Sequence, residues 1–147
     1  RMKEETPDVP VGIVLCGKIG CDLEGTASSI EKYQRQWIEV ANQVDAVMLT
    51  IYPYRENWPN ALEKMVEFEK FWKENIKVPI IPIIQAHWQV HGSYEPNPLE
   101  QVKFWVDRGY GYIVYPWRDS RNGVGDRQKE WKKANEWAKK RGGAYSK

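Results

Sequence analysis

"VPIIPIIQAHWQVHGSYEPNPLEQVKFWV", residues 78–106, holds one complete strand-to-helix unit. Residues 78–86 are almost continuously apolar, the pattern of a parallel strand covered on both faces. Polar and aromatic side chains then gather as Gln85, His87, Trp88, Gln89 and His91, and these include both histidines of the chain. Asn97 followed by Pro98 marks a helix N-terminus. Asparagine accepts from the free amides of a first turn, and proline's missing N–H is harmless at the first helical position. Leu99, Val102, Trp105 and Val106 continue as a helical stripe. Pro79 and Pro82 argue against a central place for this strand, since proline brings no N–H to a ladder.

The same unit recurs along the chain. Strands are expected over 9–17, 44–54, 78–86 and 111–117. Helices are expected over 28–43, 59–75, from Asn97 onward, and over 126–141. Ser28 with Glu31 reads as a capping box for the first helix. Stripes follow at Ile30, Tyr33, Trp37, Ile38 and Ala41, at Leu62, Met65, Val66, Phe68 and Trp72, and at Trp131, Ala134, Trp137 and Ala138. The tryptophans on these stripes, Trp37, Trp72, Trp105, Trp131 and Trp137, read as core. Strand starts near Val11, Ala46, Pro79 and Tyr112 are 35, 33 and 33 residues apart. Four βα units of even length imply an α/β fold with a parallel sheet, either doubly wound or part of a barrel. A complete (β/α)₈ barrel needs about 250 residues, so four units make half of one.

Composition narrows the function classes. The chain has 147 residues, expected as one domain over 1–147, with 22 basic and 20 acidic residues and a net charge of +2. That balance gives nucleic-acid binding little support. The basic stretch "RQKEWKKANEWAKKRGG" reads mainly as a solvated helix face. No apolar run reaches the ~18 residues of a membrane span, and no secretory leader is visible. An opening of Arg1-Met2 suggests a piece of a longer protein, and the compartment stays open. Abundant charge with few Asn and Ser points to a hot environment. Eight Trp and eight Tyr are many for this length. Such side chains fill cores and also line grooves for flat ligands.

In parallel βα folds the site lies beyond the carboxyl ends of the strands. Those ends here carry Cys16, Lys18, Cys21, Asp22 and Glu24; Tyr52, Tyr54, Arg55, Glu56 and Trp58; Gln85, His87 and Trp88; and Tyr115, Trp117, Arg118, Asp119 and Arg121. The opposite ends have ordinary loops. In "CDLEGT", Asp22 and Glu24 point the same way if extended, with Cα atoms about 6.6 Å apart. Paired carboxylates can divide into an ionised and a protonated member, which glycoside hydrolysis needs. Capping of the next helix, or exposure to solvent, is the alternative for both.

"CDLEG" and "DAVMLTIYPY" together resemble the strand ends of TIM-barrel glycoside hydrolases, loosely the chitinase-like families with a D-x-E at one strand end. Asp22, Leu23 and Glu24 match that motif; Met48, Thr50 and Tyr52 match a later Met-x-Tyr-type strand. "YIVYPW" is similar to a closing strand whose Trp floors a sugar subsite. The resemblance covers all four strands in short matches and implies the C-terminal half of a barrel. It implies Glu24 as general acid, Asp22 as its electrostatic partner and Tyr52 as an orienter. It also implies Gln85, His87, Trp88, Trp117, Asp119, Tyr54 and Trp58 as sugar contacts, an oligo- or polysaccharide as ligand, and no cofactor. Lys18, Ile19 and Gly20 stand where such families carry acids, Pro53 where another acid is common, and Gln85 where a nucleophilic Glu would sit. These departures favour a second reading: a non-catalytic structural or interaction module on a degenerate half-barrel.

Cys16 and Cys21 have three candidate fates: inert thiols, with Cys16 pointing into the sheet; a mutual disulfide; or a zinc site with His87 and His91. The inert fate is the leading expectation, and no metal is assigned. A half-barrel also leaves two sheet edges unpaired, so a homodimer or a missing N-terminal half is expected to cover them.

Overall fold

Residues 8–17, 27–56, 58–87, 94–115 and 127–141 are described by the computed structural model of the chain, with side chains of the first helix described from residue 31. The elements run β1 (Gly12–Cys16), α1 (Ala27–Ala41), β2 (Ala46–Ile51), α2 (Ala61–Asn75), β3 (Ile80–Gln85), α3 (Pro98–Val106), β4 (Ile113–Tyr115) and α4 (Gln128–Lys139). All paired neighbours are parallel and the sheet order is β1-β2-β3-β4. Chain order equals sheet order, so successive right-handed crossovers stack their helices on one face. A doubly wound sheet would reverse its order midway. This is the arrangement of a partial barrel.

Local chemistry sets the helix ends. Asn60 Oδ1 accepts from Glu63 N at 3.2 Å and Asn97 Oδ1 from Glu100 N at 3.1 Å. Each such cap is worth about 1 kcal/mol. Pro98 takes the first helical position, as its sequence context requires. At the far end of α3, Gly109 has φ 84°, Tyr110 N donates to Trp105 O and Gly109 N to Val106 O. That is a Schellman end, and its left-handed residue favours glycine. α1 is already helical at Ala27, and the side chain of Ser28, expected as a cap, lies outside the described residues.

One apolar cluster joins all four helices to the sheet. Trp72, Trp105 and Trp131 are fully buried, while Trp37 and Trp137 pack against the cluster's margin. Trp72 and Trp105 stack at 5.2 Å, and Phe68 and Tyr110 meet this pair edge-on. Trp72 Nε1 donates to Gly17 O at 2.5 Å. A Cβ at Gly17 would lie 2.2 Å from Thr50 O and 2.4 Å from a Phe68 ring carbon, so only glycine fits where β1 leaves the sheet. The buried stripe of α2 is Ala61, Met65, Phe68, Glu69 and Trp72, whereas Leu62 and Val66 are exposed. Tyr33 and Leu99 also lie outside the core.

β3 is central despite its prolines. Pro79 O accepts from Val47 N, and Ala86 N donates to Tyr115 O. Backbone groups alternate sides along a parallel strand. Even-numbered residues of β3 therefore turn toward β4, and pairing with β4 starts only at Ile83. The ladder has no bond to lose at Pro82, which is why a proline is tolerated inside the sheet.

Among the described residues, the helices cover one face of the sheet. Ile13, Leu15, Val47, Leu49, Ile51 and Ile84 point into the helix-side core. The alternate residues Val14, Met48, Ile81 and Ile113 lie on the other face, outside that cluster. Val14 is 57% exposed and Ile113 40%.

Candidate functional site at the strand C-termini

The end of β3 is held by two buried glutamines. Gln85 N donates to Gln101 Oε1 at 3.0 Å, and Gln101 Nε2 donates to Gln85 O at 2.8 Å. The side chain of Gln101, reaching in from α3, thus satisfies the main chain as a neighbouring strand would. Gln85 does the same one step on: its Oε1 accepts from Tyr54 N at 3.0 Å, and its Nε2 donates to Tyr54 O and His87 O. Both residues are fully buried. Buried amides must be satisfied, and here both are spent on backbone. Gln85 fixes the paths of the two segments leaving β2 and β3 and reaches no surface. The sequence carried a signal for Gln101, a polar residue between the apolar neighbours of a helix that follows a Gln-ended strand.

Tyr54 is pinned as well. It is buried, and its hydroxyl lies 2.5 Å from Glu100 Oε2 and 3.4 Å from Asn97 O. Burial first, then the bond to Glu100, push its pKa up, so it stays a neutral donor. Its ring meets Tyr94 edge-on at 5.6 Å. Trp58 turns toward the helix layer: it packs edge-on against Phe68, with the Arg55 and Lys64 cations each 5.4 Å from its ring.

The accessible part of the rim is aromatic. Tyr52 follows β2, His87 follows β3 and Tyr115 ends β4. Tyr52 and Tyr115 lie 6.5 Å apart and near parallel, at 21°, and the His87 ring meets Tyr52 edge-on at 4.6 Å. Tyr115 is 56% exposed, while Tyr52 and His87 are half-buried. Burial, reinforced by the neighbouring Tyr115 and opposed by Arg55, raises the Tyr52 pKa to about 12. At neutral pH its hydroxyl is a hydrogen-bond donor and not a base. The sequence placed Tyr115 at a strand end but gave it no role in the site.

Of the residues singled out from the sequence, the fold brings Tyr52 and His87 into contact and ties Tyr54 to Gln85. Asp22, Glu24, Trp88, Trp117 and Asp119 lie outside the described residues. So does His91. Cys16 is not the inert core thiol expected: it is disulfide-bonded. It ends β1 in register with Thr50, half-buried on the face away from the helices. The chain has two cysteines. A sulfur held in a disulfide is not a thiolate, which removes the Cys₂His₂ zinc set.

No family model, no curated protein and no solved structure matches this chain.

Proposed function

We propose that the chain is a carbohydrate-active domain of glycoside hydrolase type, taking an oligo- or polysaccharide across the rim at the ends of β2, β3 and β4. The observation that carries this reading is the cluster of Tyr52, Tyr115 and His87. Sugar rings offer flat C–H faces to such rings, and a tyrosine hydroxyl and an imidazole bind the hydroxyls around them. Hydrolysis in this reading falls to Glu24, which protonates the glycosidic oxygen as its bond to the anomeric carbon breaks. Asp22 offsets the positive charge developing on the sugar, and water supplies the hydroxyl that replaces the leaving group while its remaining proton returns to the Glu24 carboxylate. Tyr52 orients one of these groups, and Trp88, Trp117 and Asp119 extend the sugar contacts. The acids rest on their motif alone.

Calorimetric titration with a panel of oligosaccharides tests the binding. Tyr115→Ala should weaken it about tenfold, the scale of one lost ring contact of ~1.4 kcal/mol. Glu24→Gln should abolish turnover of a chromogenic glycoside while leaving binding in place. Absence of binding across the panel sinks the reading.

One observation favours a second reading. The Gln85 amide is locked into backbone bonds where an active retaining barrel would present a carboxylate. A non-catalytic module would bind, or simply assemble, without turnover.

A further inference from the structure

The open face of the sheet is the largest feature that the rim chemistry leaves unused. Val14, Met48, Thr50, Ile81, Ile83 and Ile113 form its registered rows. None of these carries a charge. Parallel sheets occur almost only with both faces covered, because their strands are apolar on both sides. Here, among the described residues, the helices cover one face; on the other, Val14 and Ile113 at the edges are exposed, Met48, Thr50 and Ile81 are half-buried and Ile83 is buried. Among the described residues β1 and β4 are edges, each paired along one side.

The stagger of the strands says what shape the cover has. The last β1–β2 pair is Cys16 with Thr50, and β2 continues one residue further, to Ile51. The last β2–β3 pair is Ile51 with Ile84, and β3 again continues one residue, to Gln85. At their starts β3 begins one residue beyond β2, and β4 begins three residues beyond β3, at Ile83 with Ile113. The other ends are level. No step runs backward, and the advance averages about one residue per strand. That is the advance an eight-stranded barrel of shear 8 requires over a full circuit.

We propose that two copies of this chain close an eight-stranded parallel barrel about a two-fold axis that runs along the strands. That axis preserves strand direction. It sets β4 of each copy against β1 of the other, so one kind of seam, used twice, removes all four edges. Val14, Met48, Ile81 and Ile113 of both copies then fill the interior, which in such barrels is layered with branched apolar side chains. The face itself favours a second copy over other occupants. A sugar needs several hydroxyl partners and these rows offer one, Thr50, while an extended peptide would pair with one edge and leave the face bare. The closed assembly places two copies of the Tyr52–Tyr115–His87 rim at the same end. Self-association needs no sugar, so it stands or falls apart from the proposed activity.

The test is sedimentation equilibrium of the purified chain at micromolar concentration, combined with amide hydrogen exchange. The expected particle has twice the chain mass of 17.3 kDa. Amides of β1 and β4 should exchange at least tenfold more slowly in it than after dilution to monomer. Val14→Lys and Ile113→Lys, at positions already exposed in the single chain, should each give a folded monomer with unchanged far-ultraviolet dichroism. Leu62→Lys, on the outer side of α2, should leave the dimer intact. A folded wild-type monomer throughout the micromolar range overturns the proposal, and points to a different protein segment as the cover. A dimer whose β1 and β4 amides stay unprotected, or one that survives both lysine variants, overturns it equally.

Discussion

The two faces of the sheet are built from the same residue types and end in opposite environments. On one, Val47, Leu49 and Ile51 are fully buried under Met65, Phe68, Trp72 and Trp105. On the other, Val14 and Ile113 remain largely in solvent. The contrast separates two things that apolar residues do. Under the helices they supply the stability of the single chain. On the other face the edge residues Val14 and Ile113 supply little of it, and the proposed second copy would bury them.

The sharpest way to break this contrast is to cut the covered side. Trp72→Ala removes a fully buried ring stacked on Trp105 and its bond to Gly17. It should cost about 3–5 kcal/mol in urea unfolding. A loss below ~2 kcal/mol would mean that the helix-side core is looser than its contacts indicate.

The boundary between the faces is the next place to press. Gln85→Glu replaces two donated bonds with oxygen facing oxygen and buries a charge. At neutral pH it should cost about 3 kcal/mol. Burial would raise that carboxyl's folded pKa, so the penalty should be absent below its unfolded pKa and grow as pH rises above it. A variant indifferent to pH would show that the amide's bonds are not what hold the strand ends.

A smaller effect comes at high pH. Tyr52 and Tyr112 have pKa values raised from 10.0 to about 12, in both cases first by burial, and Tyr54 is raised for the same reason. For Tyr52 and Tyr112 the folded-state preference for the neutral form is fully present below pH 10 and is lost as pH rises through about 12. Unfolding midpoints should therefore fall over that interval, and Tyr54→Phe should flatten the fall. The least effect belongs to the open face. Met48→Ala should change the stability of the dilute monomer by under ~1 kcal/mol, yet weaken self-association measurably. Equal losses in both measurements would erase the distinction between the faces.

Much of the fold was readable from the sequence because it rests on local rules. The period of the apolar runs, the Asn97-Pro98 start and the even spacing of four units depend on residues close in the chain. Where reading by period failed, the cause was a choice between adjacent helix faces. Leu62 and Val66 are as apolar as Met65 and Phe68, and the direction of the sheet decides which pair is buried. Pro82 misled for a similar reason: whether a missing N–H matters depends on where the neighbouring strand starts. The site was legible as a location and less so as a set of roles. Tyr52 and His87 stood out and do meet at the rim. Gln85 stood out as a surface group and is instead a buried clamp, because Gln101, sixteen residues on, turns in to meet it.

By itself the sequence determined an α/β chain of four strand–helix units, with polar and aromatic residues gathered at one end of the strands. Those features follow from short-range backbone preferences and from the periodicity of apolar side chains. Only the tertiary structure decided that the helices share one face, that the Gln85 and Gln101 amides serve the backbone, that Cys16 is oxidised, and that Tyr115 joins Tyr52 and His87. Each depends on which distant segments meet. Strand order and register set that, and no local pattern carries them.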